Sequence, residues 1–141
     1  ARAQEPLLIQ SVLDPKTHVV EAVKRDCALD TMVGDWVLES VSKKHPGTKK
    51  IQLGDKPGNG KVLKVTIINV MGVGGGAYSG PKGMTVRAEL MQSGKVLATT
   101  TKERTSSGGA FGGMKGTCAI FGRVAKTLGS DVAGWLPGAM K

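Results

Sequence analysis

The chain is poor in aromatic and acidic residues and has no long apolar run, and each shortage excludes a class of protein. Only 4% of its 141 residues are aromatic, too few for the stacking platforms on which single-stranded nucleic acids bind. No apolar run approaches the roughly 18 residues of a membrane-spanning helix. Twenty Lys and Arg against eleven Asp and Glu leave a net charge of +9. This excess favours anionic partners, whether nucleic acid, anionic glycan or an acidic lipid surface.

Cysteine is also scarce, with one residue near each end of the chain. Cys27 and Cys118 allow a single intrachain pairing, and in an oxidising compartment that disulfide would contribute about 2–4 kcal/mol. The alternative is a pair of buried, inert thiols. Because no CxxC spacing occurs, neither a redox site nor a zinc site is expected.

Groups suited to catalysis are few. His18 and His45 are the only histidines, and each stands beside a turn, where a solvated ring is the simpler interpretation. The chain has no nucleophile elbow and no H-E-x-x-H, and the glycines of residues 72–77 are not followed by the helix of a dinucleotide-binding fingerprint. We therefore predict a protein that is not an enzyme and uses no cofactor and no metal. A small hydrolase acting through a histidine remains an alternative.

Glycine, by contrast, is abundant, and it forms a repeat. Residues 75–83 read GGAYSGPKG and residues 108–116 read GGAFGGMKG, with six identities and a Tyr/Phe exchange. We call these segments the first and second glycine loops. Each presents one aromatic ring and one lysine on a backbone that can approach a partner closely.

The hydrophobic pattern predicts an α+β fold. Strands are expected over residues 7–13, 51–53, 61–71, 84–91 and 96–104, the last two joined by a turn at residues 92–95. Helices are expected over residues 19–43 and 117–136, where apolar residues recur at three- and four-residue spacing. The prediction is a two-layer sandwich, with a mixed, mostly antiparallel sheet of four to five strands and two helices packed on one face.

This strand order predicts that both glycine loops emerge at the same end of the sheet. If the first strand runs parallel to the last, both helices start at that end, and a Cys27–Cys118 disulfide would link them there. The predicted partner-binding residues are Tyr78, Lys82, Phe111 and Lys115, with the lysines and the start of the last helix attracting an anion. The simpler interpretation is that the loops are flexible connectors whose two rings cap the core.

A second candidate surface is a run of lysines in the middle of the chain, interrupted by a single acid, Asp55. This basic region would bind nucleic acid or another polyanion, with an affinity that falls steeply as salt rises. Lysines solvated on loops are the alternative. The residues of the basic region are Lys43, Lys44, Lys49, Lys50, Lys56, Lys61 and Lys64.

The first residues suggest an exported protein. Ala1-Arg2-Ala3 fits the A-x-A triplet that signal peptidase recognises, although it fits an expression remnant equally well. We expect residues 1–5 to be a disordered remnant of signal cleavage, residues 6–141 to form a single α+β domain, and the protein to be periplasmic or secreted.

Three segments together resemble a family of uncharacterised exported proteins of Gram-negative bacteria. They are Arg25-Asp26-Cys27, Gly80-Pro81-Lys82, and the run from Gly108 to Trp135 that contains Gly116-Thr117-Cys118. The pattern is similar to periplasmic domains grouped as DUF4410-like and, in element order, to outer-membrane assembly lipoproteins and the N-terminal domain of TolB. The resemblance implies a periplasmic or surface domain that binds an envelope protein or an anionic glycan or lipid surface, with no established catalytic residues. The chain departs from the lipoprotein relatives in having no N-terminal lipid-bearing cysteine.

Overall fold

Two helices pack against a five-stranded mixed sheet, which confirms the predicted α+β class and the predicted order of the elements. The computed structural model describes residues 7–17, 27–51, 60–72, 80–108 and 114–139. In chain order the elements are β1 (Leu8–Leu13), α1 (Leu29–Ser42), β2 (Lys49–Lys50), β3 (Lys61–Gly72), β4 (Gly80–Gln92), β5 (Lys95–Gly108) and α2 (Met114–Ala139).

The strands lie in the order β2-β1-β3-β4-β5. β1 pairs in parallel with both β2 and β3, whereas β3, β4 and β5 form two antiparallel pairs. The sheet is therefore mixed, as predicted, with antiparallel pairing among the three long strands and parallel pairing at β1. The second strand, β2, is Lys49–Lys50 and so begins before the predicted strand at residues 51–53. The N–H of Ile51 donates to the carbonyl of Ile9 (2.8 Å), and residues 52–53 lie outside the described residues.

Apolar residues at every second position of the strands form the side of the sheet that packs on the helices. Leu63, Val65 and Ile67 of β3 are fully buried, as are Val86, Ala88 and Leu90 of β4, and these are the inward positions that the alternation predicted. Burying one such side chain contributes about 1.5–3 kcal/mol. Both helices line the same core with Val33, Val37, Val41, Phe121, Val124, Ala125, Leu128, Val132 and Leu136.

The intervening residues point to the other side of the sheet, which we call the open face. It carries Gln10 and Val12 of β1, Lys64 and Thr66 of β3, Arg87 and Glu89 of β4, and Thr99 and Thr101 of β5. This face is largely polar, in contrast to the core side.

Two glycines let α1 approach its neighbours closely. A Cβ on Gly34 would collide with the Ser11 hydroxyl, and one on Gly129 of α2 would lie 2.7 Å from the Trp36 carbonyl oxygen. Trp36 of α1 and Trp135 of α2 are half-buried. The ammonium of Lys126 lies 5.4 Å from the centre of the Trp36 ring.

The helix bounds differ modestly from the predicted ones. α1 begins at Leu29 after Ala28 in a left-handed conformation, and residues 19–26 of the predicted helix lie outside the described residues. α2 is longer than predicted at both ends, Met114–Ala139. Between β5 and α2, the guanidinium of Arg104 donates two hydrogen bonds to the Asp131 carboxylate, from Nε to Oδ2 (2.6 Å) and from Nη2 to Oδ1 (2.9 Å). These hydrogen bonds and the charge of Asp131 raise the pKa of Arg104 above its usual value.

The turn between β4 and β5 follows the sequence prediction. Ser93 and Gly94 both have positive φ, 53° and 81°, and the flanking residues Gln92 and Lys95 are paired. Positive φ at both central residues is the conformation that joins antiparallel strands through two residues.

Candidate functional site

The ends of three strands meet where the two glycine loops attach. Gly72, the last residue of β3, is the pairing partner of Lys82 on β4, and Gly80, the first residue of β4, is the partner of Gly108, the last residue of β5. Paired residues in antiparallel strands have Cα atoms about 4.5–5.5 Å apart. The chain therefore leaves β3 and β5, and enters β4, at one end of the sheet, which we call the loop end.

The predicted binding residues lie partly outside the described residues. Tyr78 and Phe111 fall in residues 73–79 and 109–113, which the structure does not describe. Lys82 belongs to strand β4 and Lys115 to the first turn of α2, so the sequence-based limits of both glycine loops are too wide. β-pairing of residues 80–83 and helix formation from Met114 account for the difference.

The predicted disulfide between Cys27 and Cys118 is present, with Cα atoms 5.2 Å apart and a sequence separation of 91. Cys27 precedes α1 and is buried, while Cys118 lies near the start of α2. The start of α1 is beside the C-terminal half of β1, where the Ser11 hydroxyl donates to the Asp30 carbonyl (2.8 Å). Since β1 and β5 run in the same direction, the disulfide joins the two helices at the loop end.

The basic region does not form one continuous patch among the described residues. Lys44 and Lys49 are exposed at the end of the domain opposite the loop end, near the C-terminus of α1 and the start of β1. Lysines near a helix C-terminus also stabilise the helix dipole. Lys50 faces α1 instead and forms an ion pair with Asp35 (2.9 Å).

The structure describes three of the remaining lysines of the region and leaves one outside the described residues. Lys43 lies directly after α1, Lys61 begins β3, and Lys64 is on the open face. Lys56 lies outside the described residues. Part of the region is thus gathered at one end, and part is used in contacts within the fold.

The structure adds little to the catalytic alternative. His18 lies outside the described residues, and His45 differs from the solvated ring expected from the sequence, since its Nε2 is buried without a hydrogen-bond partner. Among the residues that the structure describes, no group of three His, Cys, Asp or Glu side chains could hold a metal ion. No described helix is both long enough and apolar enough to cross a membrane.

Sequence reasoning missed a groove on the open face that has both polar and apolar walls. It has a volume of about 240 Å³ and is lined by Val12, Leu13, Asp14, Pro15, Lys64, Thr66 and Arg87. Thr66 is only 5% exposed although it lies on the polar side of the sheet. The alternation of β3 placed Thr66 on this side, but the parallel pairing with β1, which supplies one wall of the groove, could not be read from the sequence.

Solved structures of several bacterial proteins share this fold, although no family model and no curated protein matches the chain. A Xanthomonas campestris protein of family DUF330 has a TM-score of 0.62 at 13% identity, with 97% of this chain and 86% of the other covered. PelC from Paraburkholderia phytofirmans, a dodecamer, has a TM-score of 0.57 at 15% identity, with coverages of 90% and 87%. A minor lipoprotein from Acinetobacter baumannii has a TM-score of 0.53 at 12% identity, with coverages of 94% and 92%. The class that these likenesses define is an α+β fold found among bacterial lipoproteins and uncharacterised proteins, and at such identities they concern the fold alone.

Proposed function

We propose that this chain is an exported binding and assembly domain of the bacterial envelope, without catalytic activity of its own. It engages its partner through a composite loop face made of both glycine loops, with Tyr78, Lys82, Phe111 and Lys115 as the contacting residues. The observation that carries the proposal is the direct pairing of Gly80 with Gly108, because it brings the ends of the two similar segments together.

The chemistry of the loop end favours a partner that carries negative charge. Lys82 and Lys115 both belong to elements that start at this end, and α2 directs its N-terminus there. The free N–H groups and the dipole of a helix N-terminus attract anions. An envelope protein with an acidic surface or an anionic glycan or lipid surface fits this description.

An extracytoplasmic address is supported by the disulfide and by the fold. Disulfides persist in oxidising compartments such as the periplasm, and Cys27–Cys118 is formed. The structural neighbours include a lipoprotein and the dodecameric PelC, so this architecture occurs in a lipoprotein and in a protein that assembles with copies of itself. Kinship with the DUF4410-like periplasmic domains, suggested by the sequence resemblance, is part of the same proposal.

The proposal is tested by capture of partners from an envelope extract on immobilised protein. Replacing Tyr78 and Phe111 together by Ala should abolish capture without changing the unfolding transition. Val96→Ala with Leu97→Ala is the matched control, because these side chains are 48% and 49% exposed near the other end of β5. The control should capture as the parent protein does, and capture that survives the Tyr78/Phe111 change would contradict the proposal.

Polyanion binding by the basic region is the second candidate, favoured by the exposure of Lys44 and Lys49 at one end of the domain. A duplex DNA or an anionic glycan should then bind with an affinity that drops steeply with added salt. The replacements Lys44→Gln and Lys49→Gln would weaken that binding and leave capture through the loop face unchanged.

A further inference from the structure

The groove on the open face lies between β1 and β4, with Thr66 of β3 at its centre. Thr66 is paired in register with Val12 on one side and with Arg87 on the other. Asp14 and Pro15 close one end of the groove, because the chain after β1 folds back and the Thr17 hydroxyl donates to the Ile67 carbonyl (3.1 Å). The shape of the groove is therefore fixed by the pairing of the strands and by the turn after β1, which is hydrogen-bonded to β3.

Two polar atoms from residues that line the groove are buried without a hydrogen-bond partner. They are the hydroxyl oxygen of Thr66 and Nε of Arg87. The nearest acidic oxygen to Nε is Oε1 of Glu89, at 3.6 Å, which is longer than the 2.7–3.2 Å or so of a hydrogen bond. Buried polar groups in folded proteins are nearly always hydrogen-bonded, so two unpaired atoms in one groove mark a position where a ligand that accepts hydrogen bonds would be favourable.

The charges around the groove limit what that acceptor can be. Lys64 and Arg87 supply two positive charges, and Glu89 and Asp14 supply two negative charges, of which Asp14 accepts the N–H of Lys16 (2.9 Å). Because the positive charges are already matched by negative ones, the groove has no surplus charge for a doubly charged phosphate, and a singly charged group disturbs the balance less. A carboxylate has one charge and two acceptor oxygens, which suits a guanidinium and a hydroxyl.

The remaining wall is apolar and the volume is small. Val12, Leu13 and Pro15 form this wall, and about 240 Å³ lies below the range of roughly 300–1,000 Å³ of pockets for drug-sized ligands. We propose that this groove is a binding site for a small carboxylic acid, whose carboxylate meets Thr66 and Arg87 and whose apolar body contacts Val12 and Pro15. The site lies on the open face and is independent of the composite loop face.

The test is a titration of the protein with sodium hexanoate, followed by the backbone amide signals in NMR. Hexanoate should give saturable shifts centred on Thr66 and Arg87, while hexylamine and inorganic phosphate should bind at least tenfold more weakly. Thr66→Val keeps the branched shape and removes the hydroxyl, and it should weaken hexanoate binding about tenfold or more, the loss expected for a hydrogen bond to a charged group. Thr99→Val, on the same face but exposed on β5, is the control and should leave binding unchanged.

A stability measurement separates this role from a structural one. If Thr66 serves a ligand, Thr66→Val removes an unpaired buried hydroxyl and should unfold at the same or a higher denaturant concentration than the parent protein. Weaker hexanoate binding together with unreduced stability supports the site. Absence of saturable shifts, unchanged binding by Thr66→Val, phosphate binding as tight as that of hexanoate, or a clear loss of stability in Thr66→Val would each overturn it.

Discussion

Gly80 at the start of β4 and Gly108 at the end of β5 are paired residue to residue in the sheet. The two glycine loops that share six of nine residues therefore attach to the fold side by side. They are not duplicated units of structure, since the first joins two strands and the second joins a strand to a helix. Their common feature is position, and the disulfide between the two helices lies at the same end.

Removing the disulfide should cost substantial stability. The bond closes a loop with a sequence separation of 91. In the chain-entropy model, constraining the unfolded chain in this way stabilises the fold by about 4.6 kcal/mol. Cys27→Ala with Cys118→Ala should accordingly lower the free energy of unfolding by about 2–5 kcal/mol in urea titrations. A reductant should destabilise the parent protein and have no effect on the variant. Two free thiols titrated in oxidised protein would contradict the assignment.

Gly129 should be intolerant of any side chain. A Cβ at this position would lie 2.7 Å from the Trp36 carbonyl oxygen and 3.0 Å from the Val37 nitrogen, so Gly129→Ala must push α1 and α2 apart and should cost about 1–3 kcal/mol. Gly122→Ala is the matched control in the same helix, where nothing lies within 4 Å. It should stabilise the protein by up to about 1 kcal/mol through helix propensity. Equal effects of the two changes on thermal unfolding would contradict the close helix contact.

The lysines of the loop end should control the charge dependence of partner binding. Lys82→Gln with Lys115→Gln removes two positive charges, so it should weaken capture and reduce its sensitivity to salt. Lys44→Gln with Lys49→Gln removes the same charge at the opposite end and should change neither property. The reverse result in capture assays at two salt concentrations would favour the basic region as the binding surface.

The fold was predictable because the strongest signals in the sequence are periodic. Alternation around Leu63 and Val86 and the three- and four-residue spacing in α2 reflect burial on one side of an element, which the core confirms. Ser93-Gly94 marked the turn for a similarly local reason. These features depend on residues close together in the chain.

What the sequence could not predict depends on contacts between distant segments. The parallel pairing of β1 with β2 and β3 places Val12 beside Thr66, and nothing local to either strand indicates it. The groove and the unpaired hydroxyl of Thr66 follow from that pairing. The limits of the glycine loops were overestimated for a related reason, because pairing of Gly80 with Gly108 extends the strands into segments whose glycine content favoured loops.

The most direct test of the composite loop face is to compare Tyr78→Ala, Phe111→Ala and the double variant in quantitative capture from envelope extract. If both loops form one face, each single change should weaken retention of the same partner by about tenfold or more, as for an aromatic residue that dominates an interface, and the double variant should retain none. Full retention by either single variant would show that its loop does not contact the partner, and would contradict the account.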